Sequence, residues 1–568
     1  MDATRAAVYP CGCPQPLRMR RLLRHSAPVP LLAATTLWLA RPAMAQRDPA
    51  FDVRVDSIFS RWNTTTPGCA VGVSHKGRVL LTKGYGMANL EYGVPLGAGS
   101  VMESGSVAKQ FTSAAIVLLQ QDGKLTLDDD IRTHLPEVPD FGARITIRNL
   151  LTHTSGLRDQ WGLLQLVGNP PTTQVHTLPL ILHLVSRQQE LNFPPGSEYL
   201  YSNTGYALAA IIVQRVSGKS LAQFSKERLF SPLGMTHTEW RDDYQKVVPG
   251  RATAYQRRPD GSYVTLMPFT NVYGNGGLLS TMDDLLKWND ALSNGTVPGG
   301  KAMVQALESR MRLTSGVTIA YALGLTNGTW QGRREVAHSG STAGYQTYLT
   351  RFPDDGVSIA VWCNATDANP TAAARRIAAL LLPAGRPSAT PTAASAADAA
   401  PWTGRYRNDA TDDTFEVGSG ANGMTIRMPG GMSVATPAGS MTFRTTNAFT
   451  FAFNGTGAER TARVTDDEGS TSTFRFTETP SNVPLNDYIG TYRSPELGAD
   501  YTIRTEGEAL VLRYAHLPPE RLTPTYRDGF SGSGRSIRFV RGASGQVTEL
   551  RIFAGRVRNV KFVRVTGG

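Results

Sequence analysis

Ser106 and Lys109 stand three residues apart in Gly105-Ser106-Val107-Ala108-Lys109-Gln110-Phe111-Thr112. The apolar run Ala114, Ala115, Ile116, Val117, Leu118, Leu119 follows, and Gln121-Asp122-Gly123 ends it. This predicts a helix opening near Ser106 and closing near Gly123, where glycine takes the left-handed conformation that terminates helices. Residues three apart share a helix face, so the Ser106 hydroxyl and the Lys109 amine lie side by side. Burial of the helix body lowers a lysine pKa, which lets Lys109 accept the serine proton. Free N–H groups at the helix mouth can stabilise negative charge beside Ser106. A serine N-cap followed by a solvated lysine fits the same four-residue pattern, so other residues must lift the motif.

Two further patterns do so by order and context. Tyr201-Ser202-Asn203 precedes an apolar helix over 206–216, and His338-Ser339-Gly340-Ser341 precedes a strand opening at Gln346. Each recurs, as Tyr273-Gly274-Asn275 and His75-Lys76-Gly77, so neither is specific alone. His153, in His153-Thr154-Ser155-Gly156, reads as holding a turn. Trp161, Tyr273 and Tyr345 read as packing residues that could also line a cleft.

The elements that must position these residues are legible in outline. Cys69 to Val73 and Arg78 to Leu81 read as a hairpin, as do Gln346 to Phe352 and Val357 to Cys363, with a closing helix over 372–382. Strands, then helices, then strands predict an α+β domain over 46–385 whose sheet joins both of its ends. Residues 386–400, rich in Pro, Ala, Ser and Thr, read as a linker. Beyond it, Trp402-Thr403-Gly404-Arg405-Tyr406-Arg407 is echoed by Tyr488-Ile489-Gly490-Thr491-Tyr492-Arg493. The echo predicts an all-β repeat, 401–484 and 485–568, as two small antiparallel barrels or one sandwich of two halves.

At 568 residues the chain exceeds a single core. Residues 1–45 read as an export signal: Arg18, Arg20, Arg21 and Arg24, a short apolar core over 31–40, then Ala43-Met44-Ala45. The first 18 residues look over-long, and Met19 makes a better start. The mature chain is then expected to be periplasmic or extracellular, without a transmembrane anchor. The formal net charge of +12 is scattered, and no basic run interleaved with aromatics suggests nucleic acid. Cys69 and Cys363, the two cysteines beyond the signal, have no zinc-like spacing.

Taken together, residues of about 50 to 385 resemble the serine β-lactamase and penicillin-binding-protein superfamily. The nearest likeness is to its class C-like branch, which includes D-aminopeptidases, DD-carboxypeptidases and esterases. The stretches that carry the resemblance are Gly105 to Lys109, Leu150 to Leu157, Pro195-Gly196 with Tyr201 to Tyr206, Gly276 to Thr281, and His338 to Gly340. It implies an antiparallel five-stranded sheet flanked by helices. It further implies a secreted serine hydrolase working through a Ser106 acyl-enzyme on peptide, amide or ester substrates, without metal or cofactor. Lys109 and Tyr201 would move the proton. Asn203, His338, Gly340 and Ser341 would hold the substrate, with the backbone N–H groups of Ser106 and Ser341 as oxyanion hole. The alternative is a penicillin- or cell-wall-peptide-binding sensor that does not turn over.

Many β-lactam-cleaving relatives carry Lys-Thr-Gly where this chain has His338-Ser339-Gly340, so efficient β-lactam hydrolysis is not expected. In the family fold the first strand lies beside the last, which would set Cys69 opposite Cys363 in a disulfide; two free thiols are the other possibility. The C-terminal β region is expected to shape or cover the cleft. Specificity is expected in loops 157–195 and 236–275. The oligomeric state is not legible.

Overall fold

The structure is a computed structural model that describes residues 49–565 apart from 171–173, 384–393, 422, 429–430, 446–448 and 467–470. The expected signal segment and most of the linker therefore lie outside the described residues.

A single antiparallel sheet frames the N-terminal region. Its strand order is Thr326–Trp330, Arg333–Thr342, Tyr345–Phe352, Val357–Cys363, Cys69–His75 and Arg78–Tyr85. Six strands stand where five were expected. The extra strand, Thr-Asn-Gly-Thr-Trp, pairs only at the sheet edge and lacks the alternating apolar pattern that marks a half-buried strand. Cys69 and Cys363 are direct cross-strand partners and are joined as a disulfide. Helices Pro49–Phe59 and Pro370–Leu381 pack together over one face of the sheet, through Phe51, Val55, Phe59, Ala374 and Ile377. Met282–Asn294 covers the other.

The helical lobe is built round Lys109–Gln121, buried at every residue from Lys109 to Leu119. It packs against Asn203–Ser217 and Gly300–Leu307. Burial on all sides explains why this stretch reads as a continuous apolar run rather than a stripe.

The C-terminal region forms two closed eight-stranded barrels, which settles the choice between barrels and a sandwich. Strand Gly404–Arg407 closes onto Thr471–Thr477, and Gly490–Ser494 closes onto Val557–Arg564. The repeated sequence has a physical meaning. Tyr406 donates its O–H to the Trp402 carbonyl at 3.0 Å, and Tyr492 to the Tyr488 carbonyl at 2.9 Å, so each barrel opens on the same tyrosine-to-backbone bond.

The second barrel is bolted to the helical lobe. Helix Gln160–Leu166 sends Leu163 and Leu166 into the barrel core, and Tyr501 donates to the Leu166 carbonyl at 2.9 Å. Arg158, 2% exposed, donates to the Arg558 and Asn559 carbonyls and pairs with Glu496 at 2.9 Å. Among the described residues no helix is long and apolar enough to cross a membrane.

Candidate active site

The turn that carries Ser106 is a 3₁₀ segment, Gly105–Ala108, which runs into the α-helix at Lys109. A 3₁₀ turn has three residues per turn, so positions three apart eclipse. Lys109 Nζ accordingly lies 3.0 Å from Ser106 Oγ. It also donates to Asn203 Oδ1 at 3.0 Å and to the Asn275 carbonyl at 2.6 Å. Burial, then the positive charge of Arg556, holds the Lys109 amine well below the usual lysine range, with the Asp159 carboxylate opposing them. A neutral lysine has two N–H bonds and one lone pair. The two oxygens of Asn203 and Asn275 satisfy the N–H bonds, and the lone pair is left for the Ser106 hydroxyl.

Asn203 is the first residue of Asn203–Ser217, so its backbone N–H has no partner within that helix. Asp159 supplies one: its Oδ2 accepts from Asn203 N at 2.7 Å and from Asn203 Nδ2 at 2.9 Å. The second bond fixes the amide so that Oδ1 faces Lys109. Asp159 is 2% exposed and also caps the Gln160–Leu166 helix through Trp161 N.

The Tyr201 ring centroid lies 4.8 Å from Lys109 Nζ. His153 packs against that ring, centroids 4.0 Å apart. The His153 backbone is left-handed, φ 59°, and its Nδ1 accepts from Ser202 N at 3.1 Å. Burial, then Lys109, keeps this imidazole neutral, well below its ordinary pKa. His338 is 5% exposed; its Nδ1 donates to the Ser339 carbonyl at 2.5 Å, which leaves Nε2 to accept from the Tyr321 O–H at 2.8 Å. Burial, then Lys109, pushes its pKa down to about 3. It therefore lines the cleft as a neutral ring with both nitrogens engaged by the protein.

Gly105 and Gly340 bring the Ser106 turn against the sheet edge. Gly105 has φ +50°, and a methyl group there would lie 2.6 Å from Ser341 N. One on Gly340 would lie 2.1 Å from Ser104 O and 3.0 Å from Ser106 N. Only glycines let the two backbones approach this closely, and the approach gathers the amides of Ser106 and Ser341.

A cavity of about 1040 Å³ opens over this cluster. Ser106, Tyr201, Asn203, His338, Gly340 and Ser341 all line it, as does Trp161; Tyr273 and Tyr345 do not, being packed beneath. Both loops expected to set specificity contribute, through Pro170 and through Arg241 and Leu266 to Thr270. Arg241 is spent on a buried ion pair with Glu103 at 2.7 Å. The barrels contribute as well: Phe449 and Asp466 from the first and Arg556 from the second. Asp159, His153, Tyr321 and Arg556 were not assigned to the site from the sequence. His153 stood out in the sequence only as a turn residue, and Asp159 left a local trace as an acidic N-cap shortly after Thr154-Ser155-Gly156-Leu157.

Comparison with known proteins finds relatives along most of the chain. Residues 475–564 match a domain of unknown function (DUF3471). Penicillin-binding protein 4* of Bacillus subtilis (strain 168) is 32% identical over 296 residues, which are 49% of this chain and 64% of that protein. The chain thus spans just under two thirds of that relative. D-aminopeptidase of Brucella canis is 25% identical over 529 residues, 89% of this chain and 96% of that one. The octameric penicillin-binding protein homologue from Pyrococcus abyssi shares the fold, with a TM-score of 0.54 at 22% identity, over 82% of this chain and 97% of that one. The family described as Beta-lactamase matches residues 55–384, so the chain belongs to that family and is a serine hydrolase of its type.

Proposed function

We propose that the chain is an exported hydrolase of peptide-like amides or esters that works through an acyl-enzyme on Ser106. The observation that carries the reading is the Lys109 amine, 3.0 Å from Ser106 Oγ with its two N–H bonds already spent on Asn203 and Asn275. Ser106 Oγ attacks the substrate carbonyl as its proton passes to Lys109. Tyr201, beside Lys109, relays that proton to the leaving group and later takes one from the deacylating water. The amides of Ser106 and Ser341 hold the oxyanion. His338 and His153, both neutral, support the Tyr201 side rather than supply charge, so a β-lactam carboxylate finds no cation at position 338. Export is supported by the signal-like pattern over 18–45 and by the Cys69–Cys363 disulfide, which an oxidising compartment maintains.

The test is labelling by a neutral fluorophosphonate, read by mass spectrometry. The wild-type protein should carry one adduct on the Ser106 peptide, and Ser106→Ala should carry none. Undiminished labelling of the variant would refute the assignment.

A further inference from the structure

The cleft contains a guanidinium that the proposed acyl-transfer chemistry does not use. Arg556 sits on the turn between strands Val547–Ala554 and Val557–Arg564 of the second barrel. Its backbone is fixed: the Arg556 carbonyl accepts from Asp159 N at 3.3 Å and from Asn192 Nδ2 at 3.0 Å. Its neighbours are fixed too, Arg558 by Glu198 at 2.9 Å and Asn559 by Glu190 at 2.8 Å. The side chain, by contrast, is exposed and lines the cavity, with Cζ 4.5 Å from the Tyr201 ring centroid. Among the described residues it makes no ion pair, whereas Arg241 in the same wall is neutralised by Glu103.

An arginine held by its backbone, stacked on an aromatic face and left without a carboxylate is a prepared anion site. Its position says which part of a substrate it meets. Tyr201 is the group placed to protonate the leaving group, so a guanidinium on the Tyr201 ring lies on the leaving-group side. We infer that Arg556, delivered by the second barrel, binds a carboxylate carried by the leaving group, so that the preferred substrates end in a free acid next to the scissile bond. This rests on the acyl-enzyme reading above and narrows it: the chain would act at the carboxyl end of a peptide-like molecule rather than at an amino end.

Two thioesters differing in one group test it, N-benzoylglycyl thioglycolate and its thioglycolamide counterpart. In each, the Ser106 Oγ–C bond forms as the C–S bond breaks and the serine proton leaves with sulfur. Water then frees benzoylglycine and restores the serine, and the released thiol is read with a chromogenic disulfide. Wild type should favour the acid over the amide by about 10-fold or more in kcat/KM, chiefly through KM. Arg556→Gln should bring that ratio close to unity, Arg556→Lys should keep part of it, and added salt should lower it in wild type alone. Misfolding would slow both substrates together and leave the ratio intact, so an equal ratio in wild type and Arg556→Gln overturns the inference. A second readout needs no turnover: benzoylglycylglycine should slow fluorophosphonate labelling of wild type more than its amide does. Equal protection by acid and amide would also overturn the inference. Thioesters left intact by a protein whose Ser106 does label would instead refute hydrolysis.

Discussion

At the scale of single residues, the site is a chain of hydrogen bonds with Asp159 at its far end. Asp159 holds Asn203 twice, Asn203 holds Lys109, and Lys109 faces Ser106. Asp159 is a positioning residue that also raises the Lys109 pKa against burial and Arg556. Asp159→Asn keeps the shape but removes the charge-assisted acceptor, so kcat/KM for a neutral ester should fall by about 10- to 100-fold. The sign of the pH effect follows from the same contact. With the carboxylate gone, protonated Lys109 loses its opposing anion and its pKa drops further. The acid limb of the rate profile should therefore move to lower pH. A merely structural loss would lower the rate without moving that limb, and a pH profile of wild type beside Asp159→Asn decides between them.

At the scale of elements, the parts legible in the sequence are those written locally. Ser106 and Lys109 could be paired because a helical turn fixes residues three apart. Tyr201, Asn203 and His338 needed the order of short patterns along the chain, since each pattern recurs elsewhere. Strand Thr326–Trp330 escaped because it lies at the sheet edge with none of its residues buried, so it carries no apolar alternation. Arg556 escaped for a different reason. It is an ordinary turn arginine until the barrel docks, and docking depends on the helix Gln160–Leu166, which lies inside the stretch 157–195 read only as a specificity loop. That helix is where an element-level test belongs. Leu163 is fully buried in the barrel core, so Leu163→Ala should cost about 2–5 kcal/mol in denaturant unfolding. Hydrogen exchange should rise first in Val547–Ala554 and Val557–Arg564, the strands that present Arg556.

At the scale of the whole molecule, the sheet is stapled across 294 residues of sequence by Cys69–Cys363, between strands that belong to opposite ends of the N-terminal region. Closing so long a loop restricts the unfolded chain. The Cys69→Ser, Cys363→Ser double variant should lose about 2–5 kcal/mol. A reductant should lower the melting temperature of wild type and leave that of the double variant unchanged, as calorimetry would show.

The buried union of Arg158 with Glu496 has a consequence for how this protein can be dissected. Cutting the chain after the closing helix would strip Leu163 and Leu166 of their covering, leaving an exposed apolar scar, and would take Glu496, the nearer carboxylate, from Arg158, which keeps Glu190 at 4.0 Å. The hydrolytic lobe is therefore not a portable module. A smaller working version would need a rebuilt surface at that scar before its chemistry could be studied in isolation.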